Sequence, residues 1–355
     1  MGSTNSIDEG DWARIVDQID LSPLAGRAFL LTGATGLIGR YIAGTIALAN
    51  RRNGLRCRLV CIAHNRLPSR PGAESGVEWR RMDLSAPVQI TDKFDYIFHG
   101  ACYAQPSRWF ADRPSLVGLN IGSTQQLLEV ASRSEGAFLF CSSGEVYGNP
   151  PPELTPIPES YTGGPDPTSK RAIYGESKRL GEVLCSVYRE DKGVRAYAAR
   201  ISHLYGPGIG LDDQRVFADF MRQAMNGQPI RLRDAGRAIK TLGYIGDAVA
   251  MILNILLRGH ETIYNVGGSD RVTIAELAGK IARLAGGVPV IMPPVVENAP
   301  HIGTDAGITS LDISRYVSEF GAPSFTNLET GLGRMIEWNR WHAETETEAE
   351  IVTSH

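Results

Sequence analysis

The sequence predicts an α/β fold with a doubly wound parallel sheet followed by a smaller C-terminal α/β lobe. Short apolar runs alternate with amphipathic helical patterns, and after residue 205 the pattern changes to Gly- and Pro-rich loops. Continuous apolar strands that alternate with helices are typical of a parallel sheet covered on both faces. The apolar runs lie at 27–33, 58–64, 95–101, 137–143 and 194–202.

The second lobe is predicted from a helical pattern at 217–227, a strand-like run at 261–268 and a further helix at 273–286. We expect this lobe to pack over the carboxyl ends of the strands, where α/β sheets bind ligands. The alternating acidic and small residues near the C-terminus favour a solvated tail. The predicted divisions are 12–205 for the sheet domain, with a return segment at about 241–268, 206–345 mainly for the second lobe, and 346–355 for a disordered tail.

Composition favours a small soluble partner. The chain of 355 residues has 21% charged residues and a net charge of −3, which does not indicate binding to nucleic acid or to an anionic membrane. The five cysteines are scattered and have no metal-ligand spacing, so we predict free thiols, no metal and a reducing cytoplasm. The N-terminus lacks the pattern of a signal peptide, and no run of about 18 apolar residues predicts a membrane span.

A glycine-rich turn follows the first strand, in the segment LTGATGLIGRYIAG. Glycines at this point allow a tight turn and let the backbone approach a pyrophosphate at the positive end of the next helix. An ordinary strand-to-helix turn is the alternative, which the preceding strand and the following helix disfavour. The predicted cofactor-binding residues of this turn are Gly33, Thr35, Gly36, Leu37, Ile38 and Gly39.

The adenosine end of the predicted nucleotide site is less clear. The second strand ends without the carboxylate that usually binds the ribose, and Arg66 follows it. Arg66 is compatible with a contact to the 2′-phosphate of NADP or with a solvated side chain, so NAD is predicted and NADP stays open. Asp83 is a candidate partner for the adenine amine or a surface-turn residue. The remaining predicted cofactor contacts are Leu84, Ala101 and Ile201.

Tyr174 and Lys178 lie four residues apart in a predicted helix, so their side chains share one face. A tyrosine with a reference pKa of about 10 needs a shift of roughly three units to act as a base at neutral pH. A lysine and the positive ring of an oxidised nicotinamide favour the phenolate. A surface pair is the alternative. The nucleotide turn upstream and the segment SSGEVYG at the end of a buried strand favour the catalytic interpretation.

Several motifs together resemble the extended short-chain dehydrogenase/reductase family, in its nucleotide-sugar epimerase, dehydratase and decarboxylase branch. The resemblance covers roughly residues 25–340, and its motifs are TGATGLIG, DYIFHGACYAQP, NIGSTQQLLEVA, CSSGEVYG, YGESK, ARISHLYGP and YIGDAV. It implies a Rossmann domain that binds NAD, a small C-terminal domain that binds a nucleotide sugar or a related sugar, and a homodimer formed through two helices per subunit. In this chain those helices are expected around 115–133 and 170–190.

The resemblance also implies roles for individual residues. Tyr174 would remove the proton of the sugar 4-hydroxyl as hydride leaves C4, and Lys178 would bind the nicotinamide ribose and lower the tyrosine pKa. Ser143 would hydrogen-bond the same sugar oxygen, and Asn120 would serve as a hydrogen-bonding support. Glu145 is the candidate acid–base residue at C5 and C6; a carboxylate that only caps the following turn is its alternative.

Departures from the family pattern bear on the reaction. Dehydratases carry Asp-Glu after the catalytic Thr, whereas this chain has Gly144 before Glu145, so the proton donor is missing. Decarboxylases of UDP-glucuronate resemble the chain more closely, but their arginine before the YVSD-like segment is Lys240 here, which keeps the charge and loses the forked geometry. Gly208 stands in place of an arginine, and His203 in place of an asparagine. The predicted substrate-binding residues are Ser143, Gly144, Glu145, Tyr174, His203, Val216 and Lys240.

The sequence therefore predicts an NAD(P)-dependent enzyme that forms a transient 4-keto sugar, with epimerase or decarboxylase chemistry at C5/C6 through Glu145. The first alternative is a 4,6- or 5,6-dehydratase acting on a nucleotide sugar or a nucleoside-like sugar. The second is an NADPH-dependent 4-keto-sugar reductase. The third is a regulator that binds NAD(P) without catalysis.

Overall fold

The structure is a computed structural model that describes residues 6–64, 77–103, 112–293 and 308–353. Its main sheet has seven strands, all parallel, in the order β10-β6-β5-β4-β1-β2-β3. This sheet confirms the predicted fold class. Its strands are β1 (Ala28–Thr32), β2 (Arg58–Ala63), β3 (Val77–Arg81), β4 (Tyr96–His99), β5 (Ala137–Ser143), β6 (Arg195–Ile201) and β10 (Ile263–Val266).

Helices cover both faces of the main sheet. On one face α1 (Ser6–Gln18), α2 (Leu37–Asn53) and α6 (Ile245–Arg258) pack together, and on the other α3 (Arg113–Ser134) packs against α4 (Ala172–Lys192). Side chains of a strand alternate between the two faces. Consequently Phe29 of β1 belongs to one hydrophobic cluster and the next residue, Leu30, to the other. The apolar runs predicted as doubly covered strands are buried in this way.

Four strands of the second region form a smaller sheet: β7 (His203–Tyr205), β9 (Ile239–Tyr244), β11 (Asp270–Thr273) and β13 (Ile308–Thr309). A two-stranded sheet pairs β8 (Ile230–Arg231) with β12 (Val290–Ile291). The neighbouring helices are α5 (Val216–Met225), α7 (Ile274–Ala285), α8 (Ser314–Phe320) and α9 (Leu328–Thr353). Because β10 pairs with β6, the chain returns to the main sheet within the predicted segment of about 241–268.

Helix α9 corrects the expected C-terminal end. A disordered tail was predicted for 346–355, but α9 continues to Thr353. Glu and Ala are strong helix formers, so a segment rich in both extends a helix that packing has already started. α9 has 26 residues, yet no helix in the described part of the chain, α9 included, has the length and apolarity to cross a membrane.

A buried carboxylate joins the first and last helices. Asp11 of α1 is fully buried, and the Tyr41 and Tyr244 hydroxyls donate to its Oδ2. Arg334 of α9 donates from Nη1 to Oδ1 at 2.6 Å. A buried charge without partners is strongly destabilising, so these donors from α2, β9 and α9 make the burial of Asp11 possible.

Candidate active site

The glycine-rich turn after β1 is built for close backbone approach. Gly33 has φ +69°, and a Cβ on it would lie 2.6 Å from the carbonyl carbon of Gly100, at the end of β4. A Cβ on Gly39 would lie 2.2 Å from the Gly33 carbonyl oxygen. Gly36 is the N-cap residue of α2, so the free N–H groups of this helix begin at the turn. The turn fits a dinucleotide pyrophosphate, which Gly33, Thr35, Gly36, Leu37 and Ile38 would hold.

A buried histidine, His99, links the ends of β1 and β4 to α3 through side-chain hydrogen bonds. We call this set of hydrogen bonds the His99 brace. His99 Nδ1 lies 2.8 Å from Thr32 Oγ1, and its Nε2 lies 2.9 Å from Ser123 Oγ. Burial, with a smaller contribution from Lys178, lowers the pKa of His99 to about 3, so the ring is neutral. The Ala101 N–H also points to Thr32 Oγ1, at 3.3 Å. This brace was missed at the sequence level, where the only signal was a histidine inside an apolar strand.

At the adenosine end, Asp83 accepts hydrogen bonds from the backbone N–H and the hydroxyl of Ser85, at 2.9 and 2.7 Å. These bonds lower the pKa of Asp83. His64 Nδ1 lies 3.5 Å from the same carboxylate, and Leu84 beside it is buried. Asp83 therefore lies in a surface turn with a charged, half-exposed side chain, and its contact with adenine stays a prediction. Arg66 lies outside the described residues.

Tyr174 and Lys178 share one face of α4, as predicted, next to Ser143 at the end of β5. Lys178 is 1% exposed; its Nζ donates to the Cys141 carbonyl at 2.7 Å and lies 5.8 Å from the centre of the Tyr174 ring. Ser143 and Tyr174 are joined by a side-chain hydrogen bond. Ile201 is the neighbour of Ser143 in the β5–β6 register, so this predicted cofactor contact lies at the same sheet edge.

The environment of Tyr174 favours the neutral phenol. Burial raises its pKa well above the usual value, and the Cys102 and Cys141 thiols add to the increase. The hydrogen bond with Ser143 lowers the pKa, whereas the negative charge of Glu145 raises it. For Tyr174 to act as a base, positive charge must therefore stabilise its phenolate, and Lys178 lies close enough to contribute.

A short 3₁₀ helix, Gly144–Tyr147, places Glu145 beside the tyrosine. Ser143 caps this helix by accepting a hydrogen bond from the Glu145 N–H at 3.2 Å. The turn packs closely on α4 because residue 175 is a glycine: a Cβ there would lie 2.7 Å from the Glu145 carbonyl oxygen. The absence of a side chain at Gly175 thus allows the SGE segment and the Tyr-Lys helix to meet.

The Glu145 carboxylate pairs with Arg171, at 3.4 Å between Oε1 and Nη2. The two side chains are 34% and 33% exposed, in contrast to the buried capping carboxylate considered above. Arg171 is the N-cap residue of α4, three residues before Tyr174. Sequence reasoning did not select Arg171, although its position one turn before the tyrosine on the same helix was the available signal.

A second ion pair, which is buried, joins β6 to α4 near the end of β5. Arg200 of β6 donates to both carboxylate oxygens of Glu182 in α4, at 3.0 and 2.8 Å. Ser142 donates to Glu182 at 2.6 Å, and the Arg200 guanidinium lies 4.6 Å from the centre of the Tyr147 ring. This network connects α4, β5, β6 and the 3₁₀ helix. Glu182 follows Lys178 by one turn, which was the missed sequence signal.

Three of the expected substrate contacts lie outside the main sheet, in the second region. Lys240 of β9 is 8% exposed, between Val272 and Thr309 in the strand register. His203 of β7 pairs with Leu242 of β9, and Val216 is the first residue of α5, with 39% exposure. These positions are consistent with the predicted contacts, which stay predictions.

Gly208, where the family pattern has an arginine, has φ +97°. Its hypothetical Cβ would lie 3.0 Å from Leu37 Cδ1 and 3.3 Å from Arg40 Nη2. An L side chain rarely adopts this backbone conformation, so an arginine at 208 would be strained. The backbone conformation at position 208 thus favours the glycine that this chain has in place of the arginine.

Among solved structures, UDP-glucose 4-epimerase of Thermotoga maritima, determined with UDP-glucose, matches with a TM-score of 0.73 and 20% identity over 89% of this chain and 99% of that one. UDP-N-acetylglucosamine 4-epimerase of Methanobrevibacter ruminantium matches with a TM-score of 0.74 and 18% identity over the same shares. At these identities the likeness establishes the fold.

Sequence comparison establishes the family. UDP-glucuronic acid decarboxylase 3 of Arabidopsis thaliana is 30% identical over 315 residues, 87% of each chain. UDP-glucuronic acid decarboxylase 1 of Danio rerio is 26% identical over 324 residues, 90% of this chain and 74% of the relative. The model of the NAD dependent epimerase/dehydratase family matches residues 29–267. These matches confirm the resemblance drawn from the motifs: the chain belongs to the NAD-dependent epimerase/dehydratase family.

Proposed function

We propose that this NAD-dependent enzyme forms a transient 4-keto nucleotide sugar and then acts at C5/C6, with decarboxylation of a UDP-uronate as the preferred reaction. The observation that carries the proposal is the meeting of Ser143, Glu145 and Tyr174 at one sheet edge, with Lys178 beneath the tyrosine. The decarboxylase relatives support the uronate. The solved relatives determined with NAD support the same cofactor.

The first step needs a base at the 4-hydroxyl. Tyr174 takes the hydroxyl proton, Ser143 donates a hydrogen bond to the oxygen that becomes the carbonyl, and Lys178 stabilises the phenolate. A bound NAD would supply the acceptor for the C4 hydride and the hydride donor that restores C4. Because the protein environment raises the pKa of Tyr174, the positive charge of Lys178 and of the oxidised ring is needed for the base to form at neutral pH.

The second step follows from the ketone at C4, which makes a C6 carboxylate the acid group of a β-keto acid. The C5–C6 bond breaks, CO₂ leaves, and the electron pair moves into the enolate of the C4 ketone. C5 then takes a proton, which Glu145 would deliver. Gly144 has no side chain to protonate a departing C6 hydroxyl, so decarboxylation or epimerisation is favoured over dehydration.

The test is a substrate panel. Purified enzyme is incubated with UDP-glucuronate, UDP-glucose, dTDP-glucose and GDP-mannose, and products are identified by mass spectrometry and NMR. We expect a UDP-pentose and CO₂ from UDP-glucuronate. We expect Tyr174→Phe to lower sugar oxidation by about 10²–10⁴-fold, the usual contribution of a general base. Glu145→Gln should mainly slow product formation after C4 oxidation.

Tyr188→Phe is the matched control, because Tyr188 lies on the same helix and its hydroxyl donates to Glu129 instead. Conversion of none of the four sugars by the wild-type protein would contradict the proposed substrate class. Undiminished turnover of Tyr174→Phe would contradict the mechanism.

We further propose a homodimer formed through α3 and α4. Three apolar side chains on α4, at spacings of three and four residues, share a helix face and are exposed: Leu180 at 46%, Val183 at 50% and Val187 at 42%. Clustered exposed apolar side chains are typical of an interaction surface. The division into a cofactor domain at 12–205 with its return segment and a substrate lobe at 206–345 is part of the proposal. So is a cytoplasmic location, which the five free thiols support.

A further inference from the structure

Arg171 forms an ion pair with Glu145 but takes part in neither step of the proposed mechanism. Arg171 Nη2 lies 3.4 Å from Glu145 Oε1, and both side chains are about one-third exposed, as expected at the mouth of a site open to substrate. Arg171 is the N-cap residue of the helix that carries Tyr174 and Lys178, so its backbone position is tied to that of the proposed base. The ion pair therefore spans the two segments that the reaction needs: the 3₁₀ helix with Glu145 and the start of α4.

The charge balance around Tyr174 gives this pair a consequence. Besides burial, the groups that raise the Tyr174 pKa are the Cys102 and Cys141 thiols and Glu145, while Lys178 of the same helix lies 5.8 Å from the centre of the tyrosine ring. Of these groups Glu145 carries a negative charge, and that charge opposes formation of the phenolate. The carboxylate that the C5/C6 step needs therefore hinders deprotonation of Tyr174 in the first step, unless a cation offsets its charge.

We propose that Arg171 is a positioning residue that offsets the charge of Glu145 beside Tyr174 and holds the Glu145 carboxylate toward the sugar C5/C6. This inference rests on the proposed function, since both steps belong to it. An arginine suits the task because its charge persists at all working pH values and its planar fork orients a carboxylate. A lysine would keep the charge and lose much of the orientation.

The test separates the two effects with single and double variants. Sugar oxidation is followed as absorbance of reduced cofactor in stopped flow between pH 6 and 9, and the C5/C6 step as CO₂ release. The pH limb of sugar oxidation is the rise of its rate with pH as Tyr174 loses its proton. Arg171→Gln should shift the apparent pKa of this pH limb upward by about half a unit to one unit, because the negative charge of Glu145 is no longer offset. CO₂ release should slow by about tenfold, as for other lost orienting contacts.

Arg171→Lys should restore the pH limb and leave CO₂ release impaired. In Arg171→Gln/Glu145→Gln the pH limb should return to the position seen in Glu145→Gln alone, because the charge that Arg171 offsets is gone. Lys170→Gln is the matched control: it removes an exposed cation one residue away and should leave both readouts unchanged.

Two outcomes would overturn the proposal: an unchanged pH limb in Arg171→Gln, or a shift of the same size in the Glu145→Gln background. Failure of the proposed function has a different signature, because the wild-type enzyme would then reduce no cofactor with any nucleotide sugar. A crystal structure of Arg171→Gln adds a readout independent of turnover, in which the Glu145 carboxylate should leave its present position. If Arg171→Gln does not fold, Arg171→Lys still tests the orientation effect.

Discussion

Gly144 lies next to Glu145 and close to the Leu311 side chain. A Cβ at this position would lie 3.6 Å from the Ile201 carbonyl oxygen and 3.8 Å from both methyl carbons of Leu311, which are ordinary contact distances. The position therefore has room for a side chain, and the backbone does not require glycine there by a positive φ. This is a different case from Gly175, where any side chain would collide with the Glu145 backbone.

The room at Gly144 leads to a first prediction. Gly144→Asp should give the enzyme a proton donor beside Glu145, and UDP-glucose should then yield a product that has lost water. We expect this dehydration to be measurable by mass spectrometry, and release of CO₂ from UDP-glucuronate to fall at the same time. Gly144→Asn, with the same shape and no acidic proton, is the control. Dehydration by the Asn variant as well, or by neither, would contradict the role assigned to this position.

Among the elements, α4 connects more of the site than any strand does. It begins after its N-cap residue Arg171 and carries the proposed base Tyr174 with Lys178, then Glu182 of the buried ion pair, and finally the exposed apolar face. Tyr174 and Lys178 could be predicted because a four-residue spacing is legible in a helix. The contacts of Arg171 and Glu182 could not be, because their partners Glu145 and Arg200 are distant in the chain and spacing contains no information about them.

The distinction between local spacing and contacts of distant segments also explains the rest of the site. Gly33, Gly36 and Gly39 were predictable because the turn is local. His99 was not, because its brace depends on the pairing of β4 beside β1 and on the packing of α3. The helix to Thr353 was not predicted, because alternating acidic and small residues are also typical of a solvated tail. The sequence pattern predicts local structure and the parallel sheet. The partners of buried polar groups depend on tertiary contacts between segments that are distant in the chain.

The turn at the start of α2 makes a second prediction possible. Gly39→Ala should weaken NAD binding by at least about tenfold, because the new Cβ lies 2.2 Å from the Gly33 carbonyl oxygen and forces the phosphate-binding backbone apart. Isothermal titration with NAD measures the effect. Gly10→Ala is the matched helix control, since nothing lies within 4 Å of a Cβ there. Equal affinity of the Gly39 variant and the wild type would contradict the proposed cofactor turn.

The apolar face of α4 leads to a third prediction, which concerns the proposed dimer. Leu180→Glu should turn the proposed dimer into monomers at micromolar concentration, because a charge in the middle of an apolar interface has no partner. Sedimentation velocity over a concentration series measures the change. Met292→Glu, which places the same charge on another apolar side chain, 52% exposed, is the control. A wild-type protein that sediments as a monomer, or a Leu180 variant that sediments as a dimer, would contradict the proposed interface.

At the scale of the whole molecule, neutral buried His99 makes stability depend on pH. Its pKa is about 3 in the folded protein, against a reference value of about 6.5 in an unfolded chain. Between these pH values the unfolded chain binds a proton that the folded chain does not, so acidification favours unfolding. The free energy of unfolding should therefore fall by up to about 1.4 kcal/mol per pH unit from this residue as pH drops below about 6.

Urea unfolding at pH 7, 6 and 5 measures this dependence. His99→Gln should be less stable at neutral pH, because the brace is altered, and its stability should fall less steeply with acid. His260→Gln is the control, because the His260 side chain is 82% exposed. An equal slope in the His99 variant and the wild type would show that other groups dominate the acid response.

Asp11 has a consequence for the order in which the chain assembles during synthesis. Among the described residues its charged partner is Arg334, 323 residues later, so a growing chain that lacks α9 lacks this cation. Burial of an unpaired charge is unfavourable, and α1 therefore cannot settle fully against α2 while α9 is still missing. Helix α1, which is synthesised before α9, therefore docks fully only after α9 has been made.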